Sequence, residues 1–372
     1  MKSVILTTGF HPPWNQGEVV ATRRFAELLS QVYDHVTIIS AIGDVRGVED
    51  GYKSEYNDID ILYVNTVKRL RYVASRIIDR FGNDFDLHVS NMSLFNIPRS
   101  ILTKACRIYV YQYALKNIRA LSTYLRLNSL LILSNLIKKL SIITTSPIVY
   151  EYMRRIHSPV IYVPMPIKVP AKIYNRVADP INIIYIGHPD LARFPIDKVF
   201  SVVKYLNKEF YQKFQFKIYL SMHRLKDYMG FFRVMKKLIA KYGLHDTIKV
   251  VVKNLSEDEK NQIYRLANIC LYPAVAETAV DPPLTVLEAM SFGCCVISTN
   301  IQSIPHILSN GGGIIIRREN LSFTLYRSLR LLLQNPTLIE RMSRKAYIYV
   351  CEHHDVSRLV NYMKRIVSTT GW

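Results

Sequence analysis

Two stretches of this sequence begin in the same way, and together they narrow the fold more than anything else in it. "SVILTTG" (3 to 9) and "INIIYIG" (181 to 187) are short apolar runs that end in glycine, and a helical pattern follows each. A continuous apolar run of this length is a strand buried on both faces. After the first run comes "GEVVATRRFAELLSQV" (17 to 32), with apolar residues three to four apart, and then "HVTIIS" (35 to 40). Strand, helix, strand is a βαβ unit, and such units build parallel sheets. Because the pattern starts afresh near 181, the chain should hold two such sheets. A chain of 372 residues, 49% of them hydrophobic, exceeds what one core usually holds.

Further strands of the first half are expected at "DILYVNT" (60 to 66), "DLHVS" (86 to 90) and "LSIITTS" (140 to 146). Five prolines in "PVIYVPMPIKVPAKIYNRVADP" (159 to 180) interrupt any regular element and mark a domain boundary. Beyond it the expected order is a helix at 195 to 206, "FKIYLS" (216 to 221), a helix near 223 to 242 and "IKVVVK" (248 to 253). A helix then opens on the capping box Ser256-x-x-Glu259, followed by "ICLYPA" (269 to 274), a helix after Pro282 and "CVIST" (295 to 299). In such sheets ligands bind outside the carboxyl ends of the strands, which directs attention to the loops after Gly9, Gly187, Lys253 and Pro273.

Composition limits the possible partners. The chain carries 49 Lys and Arg against 29 Asp and Glu, a formal charge of +20. From Arg99 to Arg155 there are ten bases and one acid, Glu151. Bases interleaved with Ile, Leu and Tyr suit anionic lipid or a phosphorylated partner, nucleic acid is the other polyanion they could meet, and a merely solvated face is the plain alternative. The longest apolar region, "LNSLLILSNLIKKL" (127 to 140), falls short of the ~20 residues that span a bilayer. With neither a spanning segment nor a leader-like opening, the expected location is cytoplasmic. The five cysteines lack CxxC spacing, so neither a disulfide framework nor a zinc site is expected.

The stretch "VDPPLTVLEAMSFG" (280 to 293) raises a chemical question. Asp281 reads as an N-cap and Pro282 as a first-turn residue. Glu288, between Leu287 and Ala289, is a carboxylate that needs a partner, and a carboxylate can accept from the two vicinal hydroxyls of a ribose. The alternative is a solvent-facing Glu.

"NLSEDEKNQIYRLANI" followed by "LYPAVAETAVDPPLTVLEAMSFGCCVIST" resembles the donor-binding segment of the GT-B retaining glycosyltransferases of family 4, a likeness covering most of residues 181 to 350. The resemblance implies two Rossmann-like doubly wound parallel-sheet domains facing across a cleft. An N-terminal acceptor domain would span 1 to 167 and a donor domain 168 to 350, with a last helix in 351 to 372 crossing back to the first. It implies transfer of a sugar, with retention, from a UDP- or GDP-sugar to a hydroxyl, and no metal. It also implies that Glu288 holds the ribose and that an earlier acid holds the transferred sugar. Glu277, counted from Tyr272-Pro273, is the first choice for that acid and Asp281 the second. The seven-residue spacing usual in the family would fall on Val280, and its Phe-Gly is absent from "TAV" (278 to 280). The plain alternatives are an exposed loop acid for Glu277 and the cap alone for Asp281.

A diphosphate leaving group needs cations, and "GHPDLARFPIDK" (187 to 198) offers Arg193 and Lys198. Laid on the family pattern, His188 takes the arginine slot and Arg193 the lysine slot; surface roles are the alternative for all three. Gly17, leading into a helix, fits the loop that lets backbone N–H groups approach the donor phosphate. Trp14 is an aromatic of the acceptor side, the membrane side or the core, and His88 either faces the sugar or is buried. The acceptor side, rich in bases at 99 to 155, suggests a lipid-linked glycan at the inner membrane face, with nucleic acid disfavoured. The competing reading is a non-catalytic GT-B-like or basic nucleic-acid-binding protein.

Overall fold

The structure is a computed structural model. It describes all residues except 11–16, 43–52, 57–58, 91, 93–95, 115–138, 156–159, 174–176, 222–228 and 370–372. Trp14, the core of the apolar stretch at 127 to 140 and four of the bases between 99 and 155 therefore lie outside the described residues. The chain forms two compact units. The first comprises Met1–Pro166, Ala279–Asp281 and Val356–Trp372, and the second Ile167–Thr278 and Pro282–Asp355.

In chain order the first unit contains β1 (Lys2–Thr8), α1 (Gly17–Leu29), β2 (His35–Ala41), β3 (Lys53–Tyr56), β4 (Ile59–Val64) and α2 (Val67–Phe81). It continues with β5 (Phe85–Val89), α3 (Arg99–Lys104), β6 (Arg107–Gln112), β7 (Leu140–Thr144), α4 (Pro147–Arg154) and β8 (Val160–Tyr162). The strands form one sheet in the order β3-β4-β2-β1-β5-β6-β7-β8, parallel throughout except where β3 pairs antiparallel with β4. Strands β3, β6 and β8 were not expected from the sequence. In "RIYVYQ" the four central residues are all buried, so no period-two alternation marks the strand. One face of this sheet packs Val4, Leu6, Leu87, Val89, Ile108 and Val110 against α2 and α3.

The second unit contains β9 (Ile181–Gly187), α5 (Ile196–Glu209), β10 (Phe214–Leu220), α6 (Met229–Tyr242), β11 (Ile248–Val252) and α7 (Glu257–Leu266). Then follow β12 (Ile269–Tyr272), α8 (Leu284–Ser291), β13 (Cys295–Thr299), α9 (Ile304–Leu308), β14 (Gly313–Ile316), α10 (Leu321–Gln334) and α11 (Pro336–His353). The final helix, α12 (Val356–Thr369), belongs to the first unit. The second sheet is wholly parallel, ordered β11-β10-β9-β12-β13-β14. Its order reverses between β9 and β12, a topological switch point of the kind beside which ligands bind in such sheets. The capping box forms as read, with Ser256 Oγ accepting from the Glu259 N–H at 3.2 Å and Glu259 Oε2 accepting from the Ser256 N–H at 2.9 Å.

Candidate functional site

The loop leaving β9 is organised by one aspartate. Asp190 Oδ1 accepts from the Ala192 N–H at 2.8 Å, and the Asp190 carbonyl accepts from Arg193 and Phe194 at 3.1 and 2.7 Å. Phe194 is fully buried against Tyr185, with ring centroids 4.4 Å apart. These bonds place the half-buried Arg193 beside an anchored ring. Its charge acts on the Tyr185 phenol, which burial pushes far above its ordinary value and which Arg193 partly draws back. His188 is half-buried, and its carbonyl accepts from Tyr185 Oη at 3.2 Å. Lys198 is exposed in the first turn of α5.

The loop leaving β12 meets the first one directly. The Val275 and Ala276 N–H groups donate to the Ala192 carbonyl at 2.7 and 3.3 Å. Further along, the Thr278 N–H and Oγ1 donate to Gln302 Oε1 at 3.0 and 2.8 Å, and Gln302 Nε2 returns a bond to the Thr278 carbonyl at 3.0 Å. Arg318, just past β14, donates through Nη1 to the Val275 carbonyl at 3.4 Å. Glu277 is thus exposed on a short loop held on both sides. Asp190, Gln302 and Arg318 were missed in the sequence; only Asp190, in "HPDLA", carries a local turn signature.

Glu288 lies in α8, half-buried, and its Oε2 accepts from Tyr264 Oη at 3.1 Å. Tyr264 is buried in α7 and stacks on Phe292 at 5.9 Å. Burial, and then the Glu288 charge, raise the Tyr264 phenol far above its ordinary value. Burial first and Glu288 second push the Cys270 thiol up to about 12, so the field of this carboxylate reaches into β12. The partner that the sequence demanded for Glu288 is therefore, in part, a protein hydroxyl.

Asp281 requires a correction. It does not cap the helix after Pro282: the N-cap is Pro283, without a side-chain cap bond, and α8 starts at Leu284. Instead its carboxylate accepts from Ser146 Oγ, its N–H donates to the Tyr113 carbonyl at 3.0 Å, and its own carbonyl accepts from Thr145 Oγ1 at 2.8 Å. Ser146 in turn caps α4, accepting from the Val149 N–H at 3.2 Å. The side chain that was to cap one helix supports the cap of another. Gly17, the first residue of α1, neighbours Val280: a Cβ placed on it would lie 3.4 Å from Val280 Cγ2. The seven residues singled out thus fall into two sets. His188, Arg193, Lys198, Glu277 and Glu288 belong to the second unit, and Gly17 and Asp281 to the first.

His88 is fully buried rather than facing a ligand, with Nδ1 2.9 Å from Tyr111 Oη and its ring stacked on Tyr109 at 4.9 Å.

A pair of doubly wound units, the second with charged loops at its switch point, defines the GT-B fold, and known structures share it. Sucrose-phosphate synthase from Thermosynechococcus elongatus superposes with a TM-score of 0.74 at 14% identity, over 99% of this chain and 98% of that one. Anabaena HepE in complex with UDP and glucose superposes with a TM-score of 0.69 at 8% identity, over 99% of this chain and 100% of that one. In sequence, residues 215–349 match the family described as glycosyl transferases group 1. The chain is 32% identical over 144 residues to sucrose synthase of Melioribacter roseus, a match covering 37% of this chain and 17% of that protein. The chain thus spans about a sixth of the length of that curated relative.

Proposed function

We propose that the protein is a group 1 glycosyltransferase that moves a sugar, with retention of configuration, from a nucleotide diphosphate sugar to a hydroxyl acceptor. The observation that carries this reading is the joining of the β9 and β12 loops through Ala192 at the switch point of the second sheet. It brings the segment bearing His188 and Arg193 against the one bearing Glu277. In the proposed roles Glu288 accepts from the ribose hydroxyls, with Tyr264 holding one of its oxygens in place. Arg193, aided by His188 and Lys198, answers the negative charge that grows on the departing diphosphate. Glu277 binds hydroxyls of the transferred sugar, with Asp281 as second choice. Gly17 opens α1 to the donor phosphate or the acceptor. The first unit would serve as the acceptor side and the second as the donor side. The match to group 1 sequences, and a structural neighbour that binds UDP, make UDP-sugars the first donors to test.

The acceptor we favour is a lipid-linked glycan at an anionic membrane face, on the strength of the +20 charge. No helix among the described residues is long and apolar enough to cross a membrane. The region 99 to 155 offers less contact surface than its count of bases suggests. Arg107 pairs with the buried Asp86 at 2.7 Å, Lys139 donates to the Thr103 and Ala105 carbonyls at 2.7 and 2.6 Å, and Lys104 pairs with Asp79.

A thermal-shift screen against UDP, GDP, ADP and their sugar conjugates tests the donor site. One nucleotide should raise the wild-type Tm, and Glu288→Ala and Arg193→Ala should each lose most of that rise. Stabilisation that survives in both variants would place the nucleotide elsewhere. No stabilisation by any nucleotide, with tight salt-sensitive RNA binding, would support the nucleic-acid reading instead.

A further inference from the structure

A basic face of the second unit is formed by α6 and the later turns of α5, beyond the first turn that carries Lys198 of the candidate site. Helix α6 carries Arg233, Lys236, Lys237 and Lys241 and no acid. Phe231, Met235 and Ile239 turn towards the core. At 100° per residue, the four bases together with Met229 and Val234 fall on one arc of about 160°. All six are exposed. Beside them α5 contributes Lys204 and Lys208, with Tyr205 on the helix and Tyr211 just past its end. Lys204 Nζ lies 5.0 Å from the centre of the Tyr242 ring and 5.7 Å from that of Tyr205, linking the two helices. Glu209, the acid at the end of α5, is answered by Arg330 Nε at 2.6 Å and Tyr326 Oη at 2.9 Å.

Large side chains stand out within this charge. Tyr205 is 60% exposed, Tyr211 58%, Met229 51% and Val234 42%. A solvated basic face needs none of them. A nucleic-acid face would use the tyrosines for stacking but gains nothing from exposed aliphatics. At a bilayer both kinds have a role: aliphatic groups enter the acyl boundary, tyrosines suit the headgroup layer, and Lys and Arg reach out to phosphates.

We propose that the α5–α6 face of the second unit docks on an anionic lipid surface. This deepens the membrane-side reading above and rests on it. The bases meet lipid phosphates, while Met229, Val234 and the two tyrosines settle among the headgroups.

The test is co-sedimentation of the full chain with phosphatidylcholine vesicles, with and without phosphatidylglycerol, at low and physiological salt. Wild type should bind the anionic vesicles and leave the neutral ones in solution. The triple variant K236E/K237E/K241E should bind at least about tenfold more weakly. Met229→Ser with Val234→Ser should weaken binding most visibly at the higher salt, where apolar insertion is left to hold the protein. Undiminished binding of the triple variant overturns the proposal, above all if reversing Lys68, Arg69 and Arg76 on α2 abolishes it. Binding of single-stranded RNA without binding of vesicles overturns it as well. An unchanged melting temperature shows that each variant is folded. A nucleotide shift kept by the triple variant separates the fate of the lipid face from that of the donor site.

Discussion

The two glycines that end the first strand of each unit are alike in sequence and differ in cause. Gly9 has a φ of +69°, a left-handed backbone that a side chain resists, yet a Cβ there would meet nothing within 4 Å. Gly187 has no such backbone constraint, but a Cβ there would lie 2.4 Å from Tyr185 Oη and 2.7 Å from Cζ. One glycine serves the chain's path and the other makes room for a ring. The contrast extends to the cores. The second unit packs its sheet with aliphatic and aromatic side chains such as Ile183, Tyr185, Phe216, Ile218 and Ile297. In the first, one sheet face is apolar, while the other buries Asp86, His88 and Ser90 on β5 and beyond it, beside Tyr109, Tyr111 and Tyr113. Tyr33 donates to Asp86 at 2.6 Å, and Arg107 Nε donates to the same carboxylate at 2.9 Å. Tyr113 Oη lies 3.1 Å from Ser90 Oγ, which lies 2.7 Å from Thr22 Oγ1. Two sheets of similar topology are thus held by different physics, one by area removed from water and the other by an apolar face on one side and, on the other, a buried polar network in which His88 Nε2 is left without a hydrogen bond.

The sharpest way to break this contrast is at Asp86. Asp86→Ala leaves the partly buried Arg107 without its carboxylate and should cost about 3 kcal/mol, whereas D86L/R107M should recover much of that loss; urea melts of both variants decide it. Next come the glycines. Gly187→Ala should cost about 1–3 kcal/mol through overpacking against Tyr185. Gly9→Ala should cost about 1–2 kcal/mol through its backbone. Shortening Tyr185 to Leu should make Gly187→Ala nearly harmless and leave the Gly9→Ala cost unchanged. The smallest effect is a slope with pH. Burial, aided by the Arg107 charge, pushes the His88 imidazole down to about 3 from its ordinary 6.5. The unfolded chain therefore binds the proton more readily between those values. The stability that His88 contributes is complete above pH 6.5 and is lost as pH falls towards 3, by at most about 1.4 kcal/mol per unit. His88→Phe should flatten that limb of the stability curve.

What could be read in the sequence follows the same division. β9 and β13 occupy the stretches expected for them, because continuous apolar runs bounded by glycine and polar turns have few other uses. "FDLHVS" alternates as a half-exposed strand does, yet it is buried on both faces, because its polar residues find partners on β6 and in Tyr33, 53 residues from Asp86. Such pairing leaves no periodic trace. Glu288 was legible as a carboxylate in need of company, but Tyr264 could not be assigned to it from sequence. Asp281 was misread as a cap because Asp before Pro is a strong local signal, whereas its actual partner, Ser146, is 135 residues away.

The placement of α12 has a consequence for how the protein is made. Arg107 donates to the carbonyl of Val367, and Tyr362 Oη donates to the Tyr162 carbonyl at 3.0 Å, so both bonds of the first unit wait for residues near the end of the sequence. During synthesis the unit that emerges first is completed last, after the second unit has left the ribosome entire. For that interval the surface of α1 that α12 will cover stays open.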